Sequence, residues 1–351
     1  VAEVEDLRIE VADSPEAVND LLYDLGLTDG LPVVPPTQPR VRAMLAGRDP
    51  GFEVAKLPPK WGIATLEKIA VNAVMAGCRP EYFPVLIAAV EAMADEAFNL
   101  YGIQTTTGTA TPAAIINGPI RNEIDVNYGA NCLGPGKRAN ATIGRAIRLI
   151  LHNIGGATPG LMDMATMGQP GKYSFCFGEH EERSPWPPLH VERGYRANHS
   201  AVTMVGAAGT IEIVDLTSRS ARGLLDTIVG SMCIAGSIGG GVVMGGGEPL
   251  LLLPPEHAAL LQRDGFDKAA VKRHIWEHAR MPLDRLSSDV AAHIVRQREQ
   301  LGITDTEGPV LIAERPEDVM IVVTGGTGGK ATYVPTWSGG TRAVTRRIGP
   351  R

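Results

Sequence analysis

The densest run of reactive side chains in this sequence is GEHEERSPWPPLHVERG. It sets Glu179, His180, Glu181, Glu182, His190 and Glu192 close together along the chain. Carboxylates and imidazoles exchange protons near neutral pH, and the same groups are ligands for Zn²⁺, Mn²⁺ or Fe²⁺. The spacing follows no established ligand pattern, so two readings stand. In one, this is a charged surface loop anchored by Trp186 between its prolines. In the other, His180, Glu181 and His190 do acid–base work, and His180, Glu182 and His190 form the candidate set for a divalent metal.

A second constellation, His274-Ile-Trp-Glu-His278, spells the inverted zinc-protease motif H-x-x-E-H. Lys272, Arg273 and Arg280 crowd the same helix with positive charge, which opposes a divalent cation. A histidine at position 278 also sits in the last turn, where the helix dipole favours it. A purely structural origin is expected for both histidines.

Lys137 and Arg138 in GPGKRAN precede a strongly periodic helix, with Asn140 as the expected N-cap. Free backbone N–H groups and the dipole attract an anion at such a start. With Arg145 further along, they form a candidate seat for the carboxylate or phosphate of a small substrate. The plain alternative is a solvated basic face. Cys78, in AGCRPEYFP between two apolar helices, is either an inert buried thiol or a nucleophile assisted by Arg79.

Three apolar runs end in glycine-rich loops: AIINGP (Asn117, Gly118), VVMGGGEP (Gly245 to Gly247) and IVVTGGTGGK (Thr324, Gly325 and Gly326 on to Lys330). Ligands commonly meet backbone at the carboxyl ends of strands in α/β folds, although such glycines also serve tight turns. The third loop is no Walker phosphate loop, because Thr324 stands where Gly is required and Ala331 follows Lys330.

These groups need a frame to hold them. Helical periodicity is expected over 14–26, 65–76, 84–97, 140–154, 218–234, 255–263, 267–280 and 286–301. The last but one is capped by Asp267. GLTDGLPVVPPTQPRV and LPPKWG read as extended linkers with a short helix over 40–45 between them, and AVTMVGAAGTIEIVD alternates as strands. Residues 157–200 look irregular, as an active-site lid would. The expected fold is α/β, with mixed sheets and buried helices. A helix–strand–glycine-loop order recurring around 66–118 and 220–247 points to two similar halves. The division expected is an extended arm with short helices over 1–64, a first half over 65–200 and a second over 201–351.

Composition sets bounds. Hydrophobic residues make up 44% and charged residues 21%, enough for a sizeable core and unlike a disordered chain. The net charge of −6, with no basic run, gives no footprint for nucleic acid. No apolar stretch reaches the roughly 20 residues of a membrane helix. The acidic start does not read as a signal peptide, and four scattered cysteines fit reduced thiols, so a cytoplasmic location and no membrane partner are expected.

The segments LTDGLPVVPPTQPRV, LEKIAVNAVMAGCRPEYFPVLIAAVEAM, GPGKRANATIGRAIRLILHNIGG and SPWPPLH resemble those of a poorly characterised bacterial family. That family is related to the C-terminal region of UGSC-motif (seleno)proteins, and the resemblance runs over roughly residues 20–340. It implies a UGSC-type partner protein or domain and brings no established reaction. The chain itself has no Cys-Gly-Ser-Cys segment.

The functional expectation is an enzyme acting on a small anionic metabolite by acid–base chemistry, of lyase, hydratase or hydrolase type, with a divalent metal as the candidate cofactor. Thiol or selenol redox chemistry through Cys78 is the first alternative. A self-associating, non-catalytic protein is the second, and a homo-oligomer is expected in either case.

Overall fold

In the computed structural model of the chain, residues 9–234 and 247–349 are described. The fold is α/β. The N-terminal arm holds α1 (Pro15–Asp24), α2 (Gln38–Leu45) and an antiparallel pair, β1 (Glu53–Leu57) with β2 (Gly62–Thr65). LPPKWG, expected to be a linker, is thus the end of β1 and the turn of a hairpin: Pro58 and Pro59 fall between the strands, where no ladder N–H is needed. Then come α3 (Leu66–Ala76), α4 (Phe83–Met93), α5 (Leu100–Thr105), β3 (Thr111–Asn117), α6 (Ile120–Glu123) and α7 (Arg138–Asn153). β4 (Cys176–Gly178), α8 (Leu189–Glu192), β5 (Ser200–Ala207), β6 (Ile211–Val214), α9 (Ala221–Met232) and β7 (Leu250–Leu253) follow. The rest comprises α10 (Pro255–Arg263), α11 (Lys268–His278), β8 (Arg280–Met281), α12 (Ser288–Gln300), β9 (Val310–Leu311), β10 (Met320–Val323), β11 (Lys330–Val334) and β12 (Val344–Ile348).

Two four-stranded sheets are found among the described residues, ordered β12-β5-β3-β4 and β10-β7-β11-β6. Side chains alternate between the faces of a strand, so each strand supplies two cores. Ala113, Ile115, Val205 and Ala207 of the first sheet share one cluster with Leu250, Leu252, Met320, Val322 and Val334 of the second. Their neighbours point outward: Ala114, Ile116, Val202 and Met204 meet α3, α4 and α7. Leu251, Leu253, Ile321, Val323 and Tyr333 meet α9, α10 and α11. The result is four layers, helix–sheet–sheet–helix. Strands buried on both faces read as continuous apolar runs, as LLLL and MIVV do.

Both sheets repeat one pattern. From one edge, β4 pairs parallel with β3, β3 antiparallel with β5, and β5 antiparallel with β12. In the second sheet β10 pairs parallel with β7, β7 antiparallel with β11, and β11 antiparallel with β6. Each fourth strand is exchanged. β6 follows β5 along the chain but lies in the second sheet, and β12 follows β11 but lies in the first. A boundary at residue 200 would therefore part β5 from β3, its hydrogen-bonded neighbour. Of the glycine loop expected at 245–247, residues 245 and 246 lie outside the described residues; Gly247 precedes β7 rather than following a described strand.

Part of the 157–200 stretch is fixed in the frame. Cys176, Phe177 and Gly178 form a buried edge strand, and Trp186 is buried in the second sheet's helical layer, its Nε1–H donating to Gln262 Oε1 at 2.8 Å. No helix among the described residues is long and apolar enough to cross a membrane.

Candidate functional site

β3 runs out in Asn117 and Gly118. Gly118 has φ +82°, and a Cβ there would collide with the carbonyl of His199, so the turn needs glycine. The chain folds straight into α6, which brings Arg121 back over the strand end: Nε donates to the carbonyl of Gly118 at 3.0 Å and Nη1 to that of Glu179 at 2.7 Å. Beside β3, β4 hands on to Glu179 and His180. The Glu179 N–H donates to Ile116 of the first sheet, and the His180 N–H to Val323 of the second, at 2.7 Å. Residues 178–182 thus bridge the carboxyl ends of both sheets.

Glu181 Oε1 is the hub. It accepts from the Gly118 N–H at 2.7 Å and from Asn117 Nδ2 at 3.1 Å, with Arg121 Nε 3.1 Å away. Glu181 Oε2 has no partner among the described residues, and the side chain is 15% exposed, so this oxygen is the one presented to an incoming molecule. Asn117 Nδ2 also donates to Glu179 Oε2 at 2.7 Å, which ties the two carboxylates to one amide. Glu179 is fully buried. Its Oε2 accepts from the Leu189 N–H as well, while Oε1 has no protein partner. Burial pushes its pKa up, against the lowering charge of Lys268 and the two hydrogen bonds. With Oε2 committed as an acceptor, Oε1 is the oxygen free to carry a proton when Glu179 is protonated.

His190 on α8 is also fully buried, and its Nδ1 lies 3.9 Å from Glu181 Oε1. Neither ring nitrogen makes a hydrogen bond, although the carbonyls of Arg196 and Ala197 lie near. Desolvation lowers its pKa despite the charge of Glu181, so the ring is neutral. Glu182, at the outer rim, is held down at about 2: burial alone would raise it, but the hydrogen bonds and charge of Arg121 outweigh that. His180 lies 3.5 Å from Glu182 and edge-on to Tyr128, whose ring also carries the Arg121 guanidinium.

Asn117, Gly118, His180, Glu181, Glu182 and His190 therefore stand in one cluster. Thr324, Gly325 and Gly326 border it as structure. The Thr324 hydroxyl donates to the Gly178 carbonyl at 2.8 Å, the Gly325 N–H to that of Tyr128, and Gly326 packs on Ala130. Lys137 and Arg138 do not join it through any hydrogen bond or ion pair among the described residues. Lys137 is exposed and paired with Asp125 at 2.7 Å, and it is itself the N-cap of α7. Asn140 lies inside the helix, clipping the 127–132 loop. Arg145 makes a two-pronged pair with Asp29, fastening the arm. The Cys78 thiol donates to the Thr142 carbonyl at 3.2 Å, and desolvation pushes its pKa up to about 12, the reverse of an activated nucleophile.

No group of three or more His, Cys, Asp or Glu side chains among the described residues could hold a metal ion. The expected set of His180, Glu182 and His190 is corrected on that ground: Glu182 is spent on Arg121, and His190 faces Glu181 instead. A buried guanidinium supplies the positive charge a metal would have supplied. In the H-x-x-E-H helix the His274 and His278 rings stack at 4.1 Å, His278 Nδ1–H donates to the His274 carbonyl, and Glu277 is exposed.

Sequence reasoning missed Arg121 and Tyr128, and it noted Glu179 without giving it a role. Nothing local in PIRNE distinguishes Arg121 from a surface arginine. The signal lay in the neighbouring carboxylates, which need a cation once they are buried. No protein-family model matches the chain, and no curated protein matches it.

Proposed function

We propose that this chain is an enzyme that moves protons on a small polar molecule bound at the carboxyl ends of β3 and β4, in a reaction of lyase, hydratase or hydrolase type. Glu181 Oε2 takes a proton from the substrate or from water, and Glu179 Oε1 delivers one to the departing or accepting group. Between turnovers Glu181 returns its proton to solvent from its partly exposed side chain and Glu179 takes one up again; His190, buried beside Glu181, is a positioning group. Arg121, Asn117 and Gly118 are positioning groups that hold one oxygen of Glu181 and aim the other.

The observation that carries this reading is the division of labour between two carboxyl groups held by one amide: Glu181 has one fixed and one free oxygen, and Glu179 is buried with its pKa raised. Two carboxyl groups in unlike surroundings are one way a site supplies both an acid and a base. An anion seat at Lys137 is not part of this reading, since Lys137 pairs with Asp125, and Arg121 is held by the carboxylates of Glu181 and Glu182.

Purified protein incubated with a panel of small polar metabolites, read by mass spectrometry, tests this. Glu181→Gln should lower turnover by about 10²–10⁴-fold with the fold intact. Turnover unchanged from the starting protein in both Glu181→Gln and Glu179→Gln would remove both from the chemistry.

A further inference from the structure

A cleft of about 300 Å³ is walled by the 79–82 turn, the end of α6 and the start of α7. Arg79 and Arg138 line it together with Glu81 and Glu123, and none of these four makes a hydrogen bond or ion pair with its side chain among the described residues. The start of α7, a 16-residue helix, adds backbone donors, because its N-cap Lys137 provides no side-chain cap. Tyr82 is a second and independent pointer. It is only 4% exposed and lines the cleft, yet its hydroxyl bonds to no described residue. A largely buried phenol whose hydroxyl opens on a cleft and has no described protein partner can donate to a ligand held there. Asp125, also in the wall, is neutralised by Lys137.

The unpaired charges are two guanidiniums and two carboxylates, which matches neither a simple anion nor a simple cation. We propose that this cleft binds a small zwitterion of the α-amino-acid class. Its carboxylate lies against Arg138, Arg79 and the α7 N-terminus, its ammonium against Glu81 and Glu123, and the Tyr82 hydroxyl donates to the carboxylate. Guanidinium–carboxylate pairing is directional and can be two-pronged, which gives selectivity over a free amine. α6 joins the two places: Arg121 and Asn122 contact the Glu182 side of the acid–base cluster, and Glu123 faces the cleft. The proposal is independent of the acid–base reading.

Isothermal titration of the full chain with L-alanine, L-glutamate and L-lysine, and separately with acetate and inorganic phosphate, tests it. At least one amino acid should bind more tightly than either plain anion. Arg138→Ala, Glu123→Gln and Tyr82→Phe should each weaken it by about tenfold or more. Arg138 and Glu123 are exposed, so these variants fold; circular dichroism checks that. Acetate or phosphate binding as well as the amino acids, no heat from any probe, or unchanged affinity in the variants would each overturn the proposal.

Discussion

Glu179 is where sequence chemistry and burial disagree most, and its titration has a definite sign. Burial raises its folded pKa above the ordinary 4.5, so between those values the folded chain holds a proton that the unfolded chain has released. Stability is fullest at or below the ordinary value and falls as pH rises through the raised one. Glu179→Gln should remove that slope and leave the protein at least as stable at neutral pH, measured by thermal melting across pH. Glu182 behaves oppositely. Held at about 2, it contributes stability that is complete above 4.5 and is lost as pH falls towards 2. Arg121 is 3% exposed and serves four acceptor groups, so Arg121→Ala strands the Glu181 carboxylate and two carbonyls and should cost about 3–5 kcal/mol. Lysine cannot reproduce the forked geometry, so Arg121→Lys should recover only part of that; chemical denaturation of the two variants compares them.

At the scale of elements, the site depends on strand ends being tied at close quarters. Gly118→Ala would force a side chain into the left-handed region and against the His199 carbonyl, and should cost about 2 kcal/mol or more. Thr324→Val keeps the shape but removes the donor to Gly178, and should cost about 1–3 kcal/mol. Much at this scale was legible in the sequence. Asp267 caps α11 as expected, its side chain accepting from the Ala270 N–H. The apolar run ending in Asn117-Gly118 marked a real strand end, and the Glu179–His190 density marked the segment that meets it. The start of α7 was placed too late because Asn140 looks like a cap. Its amide instead serves a loop that is distant from the helix start in shape rather than in sequence. Cys78, Arg145 and Thr324 have the right chemistry but structural partners, and partners across the fold are what a local reading does not see.

At the scale of the whole molecule, the exchange of β6 and β12 makes the two sheets interdependent; the apolar runs of β3, β5 and β10 were visible in the sequence, while β4, inside a stretch expected to be irregular, and β11 were not. The pairing was not, because LLLL and MIVV carry no mark of which edge they join. A fragment ending at residue 208 would lack β12 beside β5. It should fail to fold alone and regain structure when co-expressed with the remainder; an independently folded fragment would contradict the topology. His180, His190, His199, His257 and His274 all have pKa values lowered, chiefly by desolvation, from 6.5. Below that value the unfolded chain takes up protons that the folded chain refuses, so stability should fall from about pH 6.5 downwards, before carboxylates titrate. Everything functional rests on the paired acids in the frame between these sheets. Isotope-edited infrared spectroscopy of the glutamate carboxyls at neutral pH reads that pair directly. The account predicts a protonated carboxyl band that Glu179→Gln removes and Glu181→Gln leaves, and a spectrum of ionised carboxylates alone would contradict it.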